Sequence, residues 1–278
     1  MPDDALIPLR LIQISHRCFS AEGAFGGDDR VYFSDLMTSY GVSFHDKAFG
    51  IGRTSFTDMI AGLLSGLDDL AQRFDLAVLA SATPDAQPGF PLGFLCDAVP
   101  EPGLTYAVLD HGVITPFAAL RLLDASVRTG RVRRALVFLA DQSTLLHDLP
   151  MAGWQRPLRD HAVVLVLDDS RGTDVISRPR SLLAVPEEVP ALLEAELRRA
   201  LPARKPGVAV LGHGAAVRLG PLPEIRTVVA EAGLPCTGVW STAARCLSDR
   251  KEPGERVVLA DYDEDQRRLS VCAIDGYA

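Results

Sequence analysis

The sequence predicts an α/β protein of layered architecture, with mostly parallel strands and two halves that repeat one alternation. Three observations predict it. Short aliphatic and β-branched runs recur along the chain, nearly continuous in apolar character, as strands covered on both faces are. Segments with helical spacing separate those runs. A stretch rich in charge and proline, from Asp168 to Pro190, divides one alternation from the next.

In the first half, residues 75–81 (DLAVLAS), 104–109 (LTYAVL), 134–140 (RALVFLA) and 161–167 (HAVVLVL) read as buried strands. A helix is expected over 57–72, with Met59, Ile60, Leu63, Leu64, Leu67 and Leu70 as its apolar stripe and Asp68 and Asp69 facing out. A second helix is expected from Pro116 to Thr129. Proline near its first turn and Gly130 just past its end give the usual asymmetry. It is apolar on most sides, which places it between layers. In the second half the expectation is a helix over 191–200, a strand over 207–212 and a helix near 223–232. A short strand near 236–240, a helical turn near 242–249 and closing strands at 256–261 and 269–274 follow. The halves are expected at residues 1–172 and 173–278.

The chain has 278 residues with a net charge of −8, which argues against a phosphate-tracking nucleic-acid partner. The densest basic clusters, Arg131, Arg133, Arg134 and Arg198, Arg199, Arg204, Lys205, are interleaved with apolar residues and read as solvated helix ends. Five scattered cysteines (Cys18, Cys96, Cys236, Cys246, Cys272) without CxxC spacing point to small buried hydrophobes, not a disulfide framework or thiolate metal site. Neither HxxxH nor HExxH occurs, so no metal or other cofactor is expected. An acidic N-terminus without a basic n-region, and no apolar run of about 20 residues, lead to the expectation of a soluble cytoplasmic protein with no membrane partner.

An ordered set of segments carries a family resemblance. DLAVLASATPD (75–85), YAVLDHGVITPFAALRLLDASVRTG (106–130), RVRRALVFLADQST, RDHAVVLVL, VAVLGHGAAV and STAARC resemble, in this order, the segments of the thiolase-like ketosynthase III class. RDHA stands where the family usually has GDGA. The resemblance covers roughly residues 75–275 and is looser before residue 57. It implies a thiolase-like fold, with two duplicated halves in an αβαβα layering, and a chemistry of decarboxylative Claisen condensation. In that chemistry a Cys at a helix N-terminus attacks an acyl thioester. A His and an Asn then support decarboxylation, and a glycine-rich turn between the last two strands completes the site.

Carried over residue by residue, most of that machinery is missing. Counting back from Thr129-Gly130, the nucleophile position falls on Val113, which has no lone pair to attack with. His213 matches the family His. The Asn position falls on Trp240 when Ala243 and Ala244 take the family's paired alanines. The glycine-rich turn is replaced by Asp261, Tyr262, Asp263, Glu264, Asp265 and Gln266, whose four carboxylates are expected to oppose an oxyanion. Degenerate members of the family serve as partner subunits. The resemblance therefore implies a non-catalytic, chain-length-factor-like subunit that pairs with an active ketosynthase or with itself, near an acyl carrier protein or acyl-CoA thioester.

An alternative is a Cys-independent acyl-thioester enzyme, a decarboxylase, hydrolase or acyltransferase, using His213 with Asp110 or His111. A third reading is a carrier-docking module. Thr115 is expected to cap the helix at Pro116, and Cys96 is expected to be a buried structural thiol in a loop-like stretch. GAFGG near residue 25 lacks the Lys-Ser/Thr of a phosphate loop. The apolar stretch Phe90–Leu95 reads either as a partner-facing patch or as a loop on its own core.

Overall fold

Alternating residues on each buried strand belong to different sides of a sheet, and that period of two sets the layers. The computed structural model describes residues 6–20, 27–45, 48, 51–68, 70, 72–87, 89–99, 103–109, 111–146, 153–202, 206–250 and 254–276. Its strands are β1 (Leu6–Phe19), β2 (Leu76–Ser81), β3 (Leu104–Leu109), β4 (Arg134–Asp141), β5 (Asp160–Asp168), β6 (Asp174–Ser177), β7 (Arg180–Leu183), β8 (Gly207–Leu211), β9 (Arg226–Val229), β10 (Arg256–Asp263) and β11 (Arg268–Gly276). The helices are α1 (Gly27–Ser39), α2 (Phe56–Leu64), α3 (Pro91–Ala98), α4 (Thr115–Val127), α5 (Val189–Ala200), α6 (His213–Ala216) and α7 (Gly238–Ser248).

The strand order is β3-β2-β4-β5-β1-β6-β11-β10-β8-β9, with β7 paired to β11. It contains one arrangement twice. In β3-β2-β4-β5-β1 the first two pairings are parallel and the next two antiparallel. The run β9-β8-β10-β11-β6 has the same sequence of pairings. The two meet where β1 and β6 pair antiparallel.

Three apolar clusters fill the spaces between layers. Leu76, Val78, Ala135, Val137, Val163 and Leu165 face inward and pack with Phe117 and Leu120 of α4 and Trp240 of α7. Val208, Val210, Val257 and Leu259 close the same central cluster from the second half. The intervening residues Leu79, Leu136, Phe138 and Val164 pack outward under Met59, Ile60 and Leu63 of α2. On the far side Ala209, Leu211, Val258 and Tyr262 pack under Leu193 and Leu197 of α5. Each fully buried Val, Leu or Phe contributes about 1.5–3 kcal/mol, and α4 and α7 each bury most of their residues against the inner side of the sheet.

Several expected elements differ. α2 stops at Leu64, where Ser65 and Gly66 form a turn, and Asp69 lies outside the described residues. The stretch holding Cys96 is the helix α3, with Pro91 in its first turn, and not a loop. The expected linker 168–190 contains β6 and β7. The expected helix near 223–232 is the strand β9, and the expected strand near 236–240 is the start of α7. Arg134 is no solvated helix end either. It opens β4, is buried, stacks over Phe74 at 4.6 Å and faces Asp168 at 3.4 Å. Arg204, Lys205 and the GAFGG glycines before Gly27 lie outside the described residues. Among the described residues, no helix is long and apolar enough to cross a membrane.

Candidate functional site

The C-terminal end of β10 brings together the segments that the sequence singled out. Asp261 and Asp263 lie two residues apart on that strand, and both are buried. Asp263 Oδ2 accepts the backbone N–H of Val113 at 3.2 Å. The neighbouring Gly112 has φ +53, and a Cβ there would collide with the same carboxylate, so only glycine lets the strand end approach this turn. Val113 sits in a 3-10 turn (Gly112–Ile114) leading into α4 and is buried. Thr115 does not cap that helix by accepting an N–H; its Oγ1 donates to the Gly112 carbonyl at 2.7 Å.

Asp261 does the same for the other half. Its carboxylate lies against Gly212, where a Cβ would again collide with it. Oδ1 accepts the N–H groups of Tyr262 at 2.8 Å and Ala215 at 3.4 Å. His213, half-buried, is the first residue of α6, directly after Gly212. Burial pushes the Asp261 carboxyl up to about 7, with Asp263 adding to the effect, and burial also raises Asp263. Of the four carboxylates expected in an acidic turn, Asp261 and Asp263 are instead buried on β10, and the other two are exposed. Glu264 pairs outward with Arg218 at 2.5 Å, and Asp265 is exposed.

Trp240, at the position matched to the family Asn, is completely buried. Its ring lies 5.9 Å from that of Phe117, tilted by 56°. Its Nε1 has no hydrogen-bond partner among the described residues. An indole in this position fills the inner layer with apolar surface and cannot accept or orient as an amide would. His111 is exposed, and Asp110 lies outside the described residues, so no Asp110–His111 pair can be described.

A second polar cluster was not anticipated. Asp141, at the end of β4 and completely buried, accepts the N–H groups of Cys236 at 3.0 Å and Thr237 at 2.8 Å. Thr237 Oγ1 donates to Asp141 Oδ2 at 2.6 Å and lies 2.7 Å from His161 Nδ1. The His161 ring is 5.6 Å from that of His16. Burial, then His16, Arg159 and Arg245, hold His161 down to about 4, while burial raises Asp141 to about 6. The sequence signal was a His where the resemblance has a glycine, in RDHA.

The cysteines divide differently from expectation. Cys236 and Cys272 are buried, Cys246 is intermediate, and Cys18 and Cys96 are exposed. Cys96 Sγ lies 3.2 Å from Thr105 Oγ1. Burial, with Asp141 adding to it, raises the Cys236 thiol well above its ordinary value and so favours the protonated form. Two surface cavities, of about 530 and 380 Å³, are lined by residues of the α2–α3 side and of the end of β1, and by none of Val113, His213 or Trp240.

No protein-family model and no curated protein sequence matches the chain. Solved structures match over nearly all of it. AbyA1, a tetronic acid condensing enzyme, superposes with a TM-score of 0.67 at 15% identity, covering 96% of this chain and 100% of that one. A 3-oxoacyl-(acyl-carrier protein) synthase from Burkholderia xenovorans LB400 gives 0.63 at 16% identity, covering 97% and 94%. The 3-oxoacyl-[acyl-carrier-protein] synthase III of Aquifex aeolicus VF5 gives 0.60 at 11%, covering 96% and 99%. The fold is thiolase-like.

Within the thiolase-like fold, the duplicated strand order explains why one strand end meets both half-sites. β10 lies beside β8, and α6 follows β8, while the turn before α4 packs on the end of β10. Thiolase-like geometry alone does not require carboxylates there. This chain supplies them, and they take the backbone N–H groups at both places.

Proposed function

We propose that the chain is a non-catalytic, ketosynthase III-like subunit that heterodimerises with an active ketosynthase in fatty-acid, polyketide or other acyl-chain biosynthesis, with residues 1–172 and 173–278 as its two halves. The observation that carries the reading is the Asp263 carboxylate on the Val113 N–H. A valine cannot form an acyl-enzyme. A carboxylate already occupying the Val113 N–H withholds that donor from a second anion. Trp240 in place of an amide leaves a buried indole N–H without a carbonyl acceptor among the described residues, and of the family's polar pair only His213 is kept.

Pairing is supported by the outer strand of the sheet. β3 ends the strand order, and Leu104 is 53% and Leu109 39% exposed on it. Phe90, just before α3, is 88% exposed. An apolar open edge of this kind favours a partner strand. An acyl carrier protein or acyl-CoA thioester would then be engaged by the active subunit.

Co-expression with candidate ketosynthases and measurement of native mass tests the reading. A stable one-to-one heterodimer is expected, and a chain that stays monomeric or self-paired with every candidate counts against it. Incubation with malonyl and acyl thioesters, following free thiol, should show no turnover. Turnover abolished by His213→Ala would put the Cys-independent enzyme in its place.

A further inference from the structure

The cluster at the junction of β1, β5 and α7 has a chemistry that pairing does not use. In the antiparallel β1–β5 ladder, His16 stands opposite Val163, and Cys18 opposite His161. His16 and His161 are thus diagonal neighbours on one face, which the period of two alone brings together across 145 residues of chain. His16 is exposed, and His161 is buried.

The hydrogen bonds fix the state of His161. The Asp141 carboxylate accepts only, so the Thr237 hydroxyl proton is committed to it at 2.6 Å. Thr237 Oγ1 can then only accept from the imidazole, so Nδ1 carries the proton and Nε2 keeps its lone pair. A ligating imidazole commonly has this backing, in which one ring N–H is held by a polar chain and the other nitrogen is left basic.

We propose that His16 and His161 form a two-imidazole site for an imidazole-preferring divalent transition ion such as Zn²⁺, with water completing the coordination. With Zn–N bonds of about 2.0–2.1 Å, two rings on one tetrahedral ion stand with their centroids roughly 5 Å apart. The observed 5.6 Å needs little movement of the exposed His16. Among the described residues no group of three His, Cys, Asp or Glu stands ready to hold a metal, so the site is open and of modest affinity. The nearby cations are Arg159, which has Glu231 as its own partner, and Arg245. With two nitrogens and no carboxylate facing the ion, Mg²⁺ and Ca²⁺ are disfavoured.

The test is titration of the tag-free chain with Zn²⁺, and with Co²⁺ as an absorbing probe, by calorimetry and by the histidine ring signals in NMR. One ion per chain is expected, perturbing His16 and His161 together, with no response to Mg²⁺. His16→Ala, at an exposed position, should weaken binding at least about tenfold while leaving the melting temperature in place. Thr237→Val should weaken it about 10–100-fold by releasing the imidazole tautomer. Absence of Zn²⁺ binding, or binding undiminished in His16→Ala, overturns the proposal. Neither result bears on heterodimer formation.

Discussion

Asp263 Oδ2 accepts the N–H of Val113, joining the last residue of β10 to the turn that opens α4, 150 residues earlier in the chain. That contact determines how a thiol would behave at position 113. A carboxylate on the adjoining N–H opposes a thiolate, and a shift of one pKa unit is a tenfold change in thiolate below the thiol pKa. Val113→Cys alone is expected to alkylate slowly with iodoacetamide at pH 7.5. The double variant Val113→Cys with Asp263→Gly is expected to react at least about tenfold faster. Equal rates in the two, followed by intact mass, would show that Asp263 does not control the site.

The Trp240 and Phe117 rings make the inner layer continuous where the resemblance places a polar amide. Truncating this side chain leaves a large cavity among α4, α7 and the sheet. Trp240→Ala is expected to cost about 3–5 kcal/mol in urea unfolding. Trp240→Asn is expected to be at least as costly, because the amide would add unpartnered polar groups to the same cavity. A loss below about 1 kcal/mol for both would mean that the indole is not part of the core.

These contacts separate what could be read from the sequence and what could not. The strands β2, β3, β4, β5, β8, β10 and β11 and the helices α4 and α5 follow from continuous apolar runs and helical spacing, and the structure has them within a few residues, while α2 starts as expected and ends early at Leu64. β1 carried an equally clear signal, since buried Ile7, Leu9 and Leu11 alternate with exposed Pro8 and Arg10. β9 and α7 went the other way for a tertiary reason. Val239 and Trp240 suit a strand, but Asp141 from a distant strand satisfies the N–H groups of Cys236 and Thr237 and lets a helix begin there. At the site, Val113 and Trp240 were legible as losses of chemistry. The seating of Asp261 and Asp263 on Gly212 and Gly112 depends on close approach of remote backbone, which no spacing reveals.

Leu104 and Leu109 on the outer strand β3 form the exposed apolar edge best suited to a partner strand. Charge placed on a sheet edge blocks strand addition. Leu104→Lys is expected to abolish heterodimer formation with a co-expressed ketosynthase while changing the isolated chain's stability by no more than about 0.5 kcal/mol. Light scattering after size exclusion measures the first and urea titration the second. An intact heterodimer in this variant would move the interface away from β3.

Asp261 gives the fold a distinctive pH dependence. Its carboxyl, buried beside Asp263, is raised to about 7, against an ordinary aspartate value near 3.8 in the unfolded chain. The folded state therefore holds this proton more tightly, and the stability it contributes is full below about 4 and lost as pH rises through about 7. Asp141, raised to about 6, acts in the same direction at lower pH. His161, depressed to about 4, acts oppositely, since its contribution is present above about 6.5 and is lost as pH falls toward 4. Between pH 4 and 6 the effects of Asp141 and His161 offset one another, which leaves Asp261 in control up to neutrality. Melting temperatures of the chain are expected to fall from pH 5 to pH 7.5, and Asp261→Asn, which keeps an acceptor without the charge, is expected to flatten that fall. Parallel profiles for the two proteins would show that Asp261 is already ionised in the fold at pH 5, and that its carboxylate is better solvated by the backbone N–H groups of Tyr262 and Ala215 than its burial implies.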